Sequence, residues 1–251
     1  MAEITIDAPS APRARGGLLS VVTPQNGLPE GLYYGVQYQS ALCGQSRHYV
    51  EGQDKVFDDR GIVKGAPFTI YRGIDASLFQ RGASEALIRE AFEAGESFGV
   101  EEGFQANVLN GPDTVDITPS VGIPVTNMKH AIGLLEQYAS ENYSGLPIIH
   151  GNRFATALIP ELQIDKNNWT FHSGNGTPIA NGGGYRTEGP GAVDIDEGTA
   201  WLYITGNVNI WRGTPTVAEG PALKANRVLT LMENTYVTTA DCFVAAILVG
   251  I

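Results

Sequence analysis

Cationic side chains, histidines and cysteines are scarce in this chain of 251 residues: 16 Lys or Arg face 27 Asp or Glu, and there are four His and two Cys. A net charge of -11 repels phosphate and leaves no basic stripe of the kind nucleic-acid binders use, so sequence-specific DNA or RNA binding is disfavoured. The same acidity suits a wall that surrounds nucleic acid without sticking to it. Cys43 and Cys242 lie far apart and form neither a metal-ligand spacing nor CxxC, so two buried free thiols and no redox chemistry are expected. No run approaches the roughly 18 apolar residues of a membrane span, and the opening MAEITIDAPSAPRARGG lacks the apolar stretch of a signal peptide. A soluble protein made and kept in the cytoplasm is the expectation.

Catalytic signatures are missing as well. His48, His130, His150 and His172 have no HxH or HExxH spacing. His150, in IIHGNRF, is the most site-like because it ends an expected buried strand, where ligands gather in α/β units; a structural histidine capping backbone groups is the simpler reading. Glu96, Glu101 and Glu102 share an expected helix and read as a solvated or interface face rather than an acid and base pair. DIDEG, from Asp194 to Gly198, lacks the twelve-residue calcium-loop pattern. There is no GxSxG, and the glycine runs GNG and GGG lack the Lys-Ser or Lys-Thr ending of a P-loop. No catalytic, cofactor-binding or metal-binding residue is expected, and the chain reads as a non-enzyme.

Glycine is what the chain has in excess: 31 residues, about 12% against a usual value of roughly 7%. They follow no period, which excludes collagen, solenoids and propellers. Residues 1–29, with four prolines, read as an extended arm with little core of its own. YYGVQYQSALCGQSRHY suits half-buried strands, EGQDKVFDDRGIVKG a protruding loop, and PFTIYRGI a strand. In SEALIREAFEAGESFGVEEGFQANVL, Ser84 is expected to cap a helix running to about Leu109, with Leu87, Ile88, Ala91, Phe92, Gly95 and Phe98 on one face. Gly95, Gly99 and Gly103 weaken that helix and admit close neighbours, and Gly95 and Gly99 are candidate hinges. Thr126 or Asn127 caps a second amphipathic helix; LPIIH reads as a buried strand and NRFATALIPEL as a short helix stopped near Pro160. The remainder reads as β: an SGNG hairpin turn, a tight corner at NGGGY, two strands joined across Gly206 and Asn207, and a terminal FVAAILV covered on both faces.

The order of these elements, rather than any short motif, carries a family resemblance. LIREAFEAGESFGVEEGFQANVL resembles the spine helix of a tailed-phage major capsid protein, and MKHAIGLLEQYASENYSGLPIIHGNRFATALIP its axial domain. AWLYITGNVNIWRG and NRVLTLMENTYVTTADCFVAAILV resemble the returning strands of capsid proteins from actinobacterial phages. The resemblance covers about three fifths of the chain. It implies an α+β, Hong Kong 97-type capsid fold: N-terminal arm 1–30, extended loop and flanking strands 31–75, peripheral domain with spine helix 76–122, axial domain 123–198, and returning strands 199–251. It further implies pentamers and hexamers closing an icosahedral head around double-stranded DNA, located in the virion after assembly in the host cytoplasm. Portal protein is the implied partner, with a separate scaffold protein or none and with or without a decoration protein, and without cofactor or membrane. In some phages such a shell joins a loop lysine to a neighbour's asparagine; Lys55 and Lys64 flank or enter the protruding loop but read as ordinary surface lysines. The alternatives are an encapsulin-like nanocompartment shell of the same fold, a small hydrolase using His150 with a carboxylate, and a tail or head-decoration protein.

Overall fold

A computed structural model describes residues 15–26, 34–52, 54–55, 61–77, 81–120, 122–192, 196–222 and 226–251. Most of the expected arm, part of the protruding loop, and Asp194 and Ile195 of DIDEG lie outside these. In chain order the elements are α1 (Leu18–Val21), β1 (Gln25–Asn26), β2 (Val36–Gln39), β3 (Ile62–Gly65), β4 (Pro67–Ser77), α2 (Arg81–Phe104) running into a π-helical turn at Gln105–Leu109, β5 (Val115–Asp116) and α3 (Met128–Asn142). Then come β6 (Ile148–Asn152), α4 (Arg153–Ala157), β7 (Gln163–Asp165), β8 (Thr170–His172), β9 (Pro178–Gly182), β10 (Thr199–Thr205), β11 (Val208–Arg212), β12 (Thr216–Ala222), β13 (Arg227–Ala240) and β14 (Val244–Gly250).

Two sheets and one separate hairpin hold these strands. The first sheet is organised by β13, whose fourteen residues pair with β4 along one edge and with β11 and β12, set end to end, along the other; β1 adds in parallel to β11. The second runs β5-β14-β10-β6-β9-β8-β7. Its β14 alternates side chains between two cores, as the apolar FVAAILV run predicts: Ala245, Ile247 and Val249 pack with α3 on one face, and Ala246 packs on the other with Phe104 and Tyr203. The hairpin β2–β3 pairs only with itself.

The long helix spans both sheets. Ile88 and Phe92 pack on Met232 of the first sheet, while Val100, Phe104 and Leu109 enter a core with Ile148, Ala180 and Tyr203 of the second. The buried face is therefore the i, i+4 row through Ile88, Phe92, Glu96, Val100 and Phe104; Leu87 and Phe98, expected on it, are exposed. Ser84 does not cap: the helix starts at Arg81, and Ser84 is buried, its hydroxyl donating to Glu219 on β12. Asn127 does cap α3, accepting the His130 N–H. The root of the arm also departs from expectation, because Leu18 is fully buried beneath α2 and Asn181 N–H donates to the Gly16 carbonyl.

The three helix glycines do different work. A Cβ on Gly103 would run into the Phe68 ring, which is stacked on Tyr236, and one on Gly99 would press on Ile70, whereas one on Gly95 would meet nothing within 4 Å. Gly95→Ala is expected to raise the stability of the subunit by about 1 kcal/mol through helix propensity alone. Gly103→Ala should lower it by roughly 1–3 kcal/mol through overpacking, both read from denaturant midpoints.

Candidate functional site

Two carboxyl side chains of α2 and a glutamine of the π-helical turn that continues it are buried where the helix crosses between the sheets. Glu101, 1% exposed, lies beside the Val100 row and in line with Ser97 and Gln105, also on inward-facing positions. Its Oε1 accepts the Leu18 N–H at 2.9 Å and the Ser97 hydroxyl at 2.8 Å, and its Oε2 accepts the Gly184 N–H at 2.9 Å. A buried carboxylate is tolerable only when donors replace its water, and here they come from three separate segments. The surrounding glycines explain how backbone comes so close: a Cβ on Gly17 or Gly182 would run into the Glu101 carboxyl, and one on Gly184 into the Phe98 carbonyl. NGGGY is thus a corner, as expected, and its purpose is to wrap this side chain.

Glu96, one turn earlier, accepts from Arg212 Nη1 at 3.0 Å and the Tyr236 hydroxyl at 2.6 Å, tying the helix to β11 and β13. Arg212 Nε extends the link to Asn26 of β1. One turn later, Gln105 Nε2 donates to the Arg186 and Glu188 carbonyls, while its Oε1 accepts the Arg186 N–H. The solvated-face reading therefore holds only for Glu102, which pairs with Arg186 at the surface; Glu96 and Glu101 are interior.

His150 has no catalytic surroundings. It is fully buried, with Nδ1 3.0 Å from the Tyr185 hydroxyl and Nε2 2.9 Å from Thr205 Oγ1. The Thr205 hydroxyl donates to the Gly206 carbonyl, so its oxygen accepts from Nε2–H and Nδ1 is left to accept from Tyr185. Burial pushes the imidazole down to about 3, and burial with the nearby Glu101 charge pushes the Tyr185 phenol well up. His172 bonds within its own hairpin, and His48 and His130 are exposed. Among the described residues no cluster of His, Cys, Asp and Glu fits a metal ion.

At the base of the hairpin, Cys43 and Cys242 are joined by a disulfide with Cα atoms 5.2 Å apart, correcting the expectation of two free thiols. Separation in sequence says nothing of separation in space. Here the chain after β2 folds back onto the end of α3, where Gly44 N–H donates to Asn142 O and Ser144 N–H to Leu42 O, directly beside the turn between β13 and β14. Closing a loop of this length contributes roughly 5 kcal/mol by restricting the unfolded chain. Tyr38 adds a non-covalent fastening: its hydroxyl donates to Asp241, is joined to Thr239 Oγ1 at 3.0 Å and accepts from Asn209 Nδ2 at 2.9 Å. Burial and the bond to Asp241 push this phenol up to about 12. Lys64 is exposed on β3, and Lys55 Nζ lies 5.2 Å from the centre of the Tyr49 ring.

No family model and no curated protein matches the chain. Solved structures do. The capsid of a native GTA particle, computed with C5 symmetry, superposes with a TM-score of 0.54 at 13% identity, covering 98% of this chain and 96% of that one. A Mycobacterium phage Adephagia structure gives 0.52 at 11% identity with 98% of both chains covered. This is the Hong Kong 97-type capsid fold. A virus-like particle from Pyrococcus furiosus shares it, at 0.52 and 12% identity over 93% of this chain and 92% of that one. Glu96 and Glu101 are interior joints that fix both sheets to α2.

Two outcomes test these joints. Glu101→Gln keeps the shape but turns an N–H2 toward one of the N–H donors, and is expected to cost about 1–3 kcal/mol; Gly184→Ala, which meets backbone, should cost more and leave little folded subunit. Below pH 6.5 the unfolded chain takes up a proton that folded His150 refuses until about pH 3, so its contribution to stability, fully present above 6.5, falls by up to tenfold in equilibrium constant per pH unit over that window. His150→Asn should show a correspondingly shallower acid dependence in denaturation; identical slopes would show that the histidine titrates normally.

Proposed function

We propose that this chain is the shell-forming subunit of a tailed-phage head: a major capsid protein that assembles as pentamers and hexamers around double-stranded DNA and carries no catalytic residue. The observation that supports this most is the likeness in fold to capsid structures over 98% of the chain. The first sheet with α2 corresponds to the peripheral domain, the second with α3 to the axial domain, and β2–β3 to the base of the extended loop. Large apolar side chains left in solvent also favour self-association: Tyr34, Tyr71, Phe98, Leu146, Phe154 and Ile123 are each more than half exposed. The single most site-like histidine is sealed in the core, which speaks against the hydrolase alternative. Portal and a scaffold or decoration protein complete the proposed particle, and the net negative charge suits a wall that does not bind the genome tightly.

The likeness to the Pyrococcus furiosus virus-like particle favours a second reading, a nanocompartment shell. Expression with and without neighbouring candidate genes, followed by electron microscopy of the void fraction, separates the readings. Closed shells or capsomer rings are expected, with terminase and portal genes beside this one for a phage and a cargo-enzyme gene for a compartment. A stable monomer under every condition would overturn both.

A further inference from the structure

The β2–β3 hairpin pairs its backbone with neither sheet, and a lone two-stranded hairpin is marginally stable in water. Its direction is therefore set at its base. The fastenings there are the Tyr38 hydroxyl on Thr239 and Asp241, the Gln45 side chain on the carbonyls of Ser140 and Tyr143, and the Cys43–Cys242 bridge. Cys242 sits in a tight turn closed by the Phe243 N–H on the Asp241 carbonyl, with left-handed backbone (φ 62°) that a non-glycine residue holds only when its surroundings impose it. That turn is also where the chain passes from the first sheet (β13) to the second (β14). One covalent bond thus fixes the hairpin to the junction of both sheets.

Both cysteines are only partly buried, and Cys242 lines an open cleft with Gly61, Asn107 and Asp113, within reach of small thiols and disulfides. Cytosolic thiol pools keep cysteines reduced, whereas a released particle meets an oxidising medium. We propose that Cys43 and Cys242 form a redox lock on the hairpin: as thiols they leave it held at its base by hydrogen bonds, those of Tyr38 and Gln45 among them, which open and let it reorient while subunits assemble, and as a disulfide they fix it in the finished particle. The oxidant is a low-molecular-weight disulfide of the glutathione class. One cysteine thiolate attacks it and expels a glutathione thiolate, and the second cysteine thiolate attacks the resulting mixed disulfide and expels the other. Two cysteine thiols become one cystine, one glutathione disulfide becomes two glutathiones, and the two protons pass to the released thiols.

The timing rests on the capsid reading; the effect on the hairpin does not. Amide exchange is therefore measured on the purified full chain, assembled or not, after treatment with glutathione disulfide and after reduction by a phosphine. Amides of Val36–Gln39 and Ile62–Gly65 are expected to exchange at least tenfold more slowly in the oxidised protein, with β10 unchanged. Cys43→Ser should match the reduced wild type under both conditions, and if that variant does not fold, the reduced wild type carries the comparison alone. Equal hairpin exchange in both redox states overturns the lock. For the timing, thiols are alkylated at lysis: unassembled subunits are expected to be modified at both cysteines, and particles later exposed to glutathione disulfide at neither. Bridged subunits before assembly overturn the sequence of events, while absence of any particle removes the capsid reading and leaves the exchange result to decide the lock.

Discussion

A single buried carboxylate organises the middle of this molecule. Glu101 cannot be hydrated where it lies, so each of its oxygens must be met by protein donors, and the donors are backbone groups of the arm root and the glycine corner together with a hydroxyl of the same helix. Geometry of that kind is all or none, because a donor withdrawn leaves charge without compensation. The arm root, the helix and the Gly182–Gly184 corner are therefore positioned together. Gly17, Gly182 and Gly184 are the cost of that arrangement, since each gives up a side chain so that backbone can reach the carboxyl.

Much of the architecture was readable from residues. Apolar rows at helical spacing located α2 and α3, Asn127 its cap, Gly176 the turn between β8 and β9, and FVAAILV a strand covered on both faces. The helix carboxylates differ from expectation because local charge pattern hides the row each belongs to. Glu96 falls in the i, i+4 series with Ile88, Phe92, Val100 and Phe104, a signal of burial that charge alone obscured. Glu101 gave a weaker sign, the small and polar Ser97 and Gln105 on its row and the glycine pairs elsewhere in the chain. The disulfide had no local sign at all, because it depends on how residues 42–44 dock on the end of α3, a contact between segments about a hundred residues apart.

The likeness to capsid shells at 11–13% identity shows how little of such a fold is held by particular side chains. In this chain the fold is a pattern of layers, one helix laid across two sheets with a hairpin beside their junction. The buried network around Glu96 and Glu101 fastens those layers. It uses charge where another sequence can use packing, and it makes the joints sensitive to the loss of any one partner.

The two sheets are joined by strand crossings lying side by side. The chain passes from β10 to β11 through Gly206 and Asn207, and returns from β13 to β14 through residues 241–243, with the Asp241 N–H bonded to the Asn207 carbonyl and Gly206 set tightly against Asp241. Paired crossings at one seam, bonded to each other, resist shear and twist between the sheets. With α2 packed into the cores of both, the helix stands like a strut across a corner joint, and the two sheets keep one relative setting unless its buried contacts are given up.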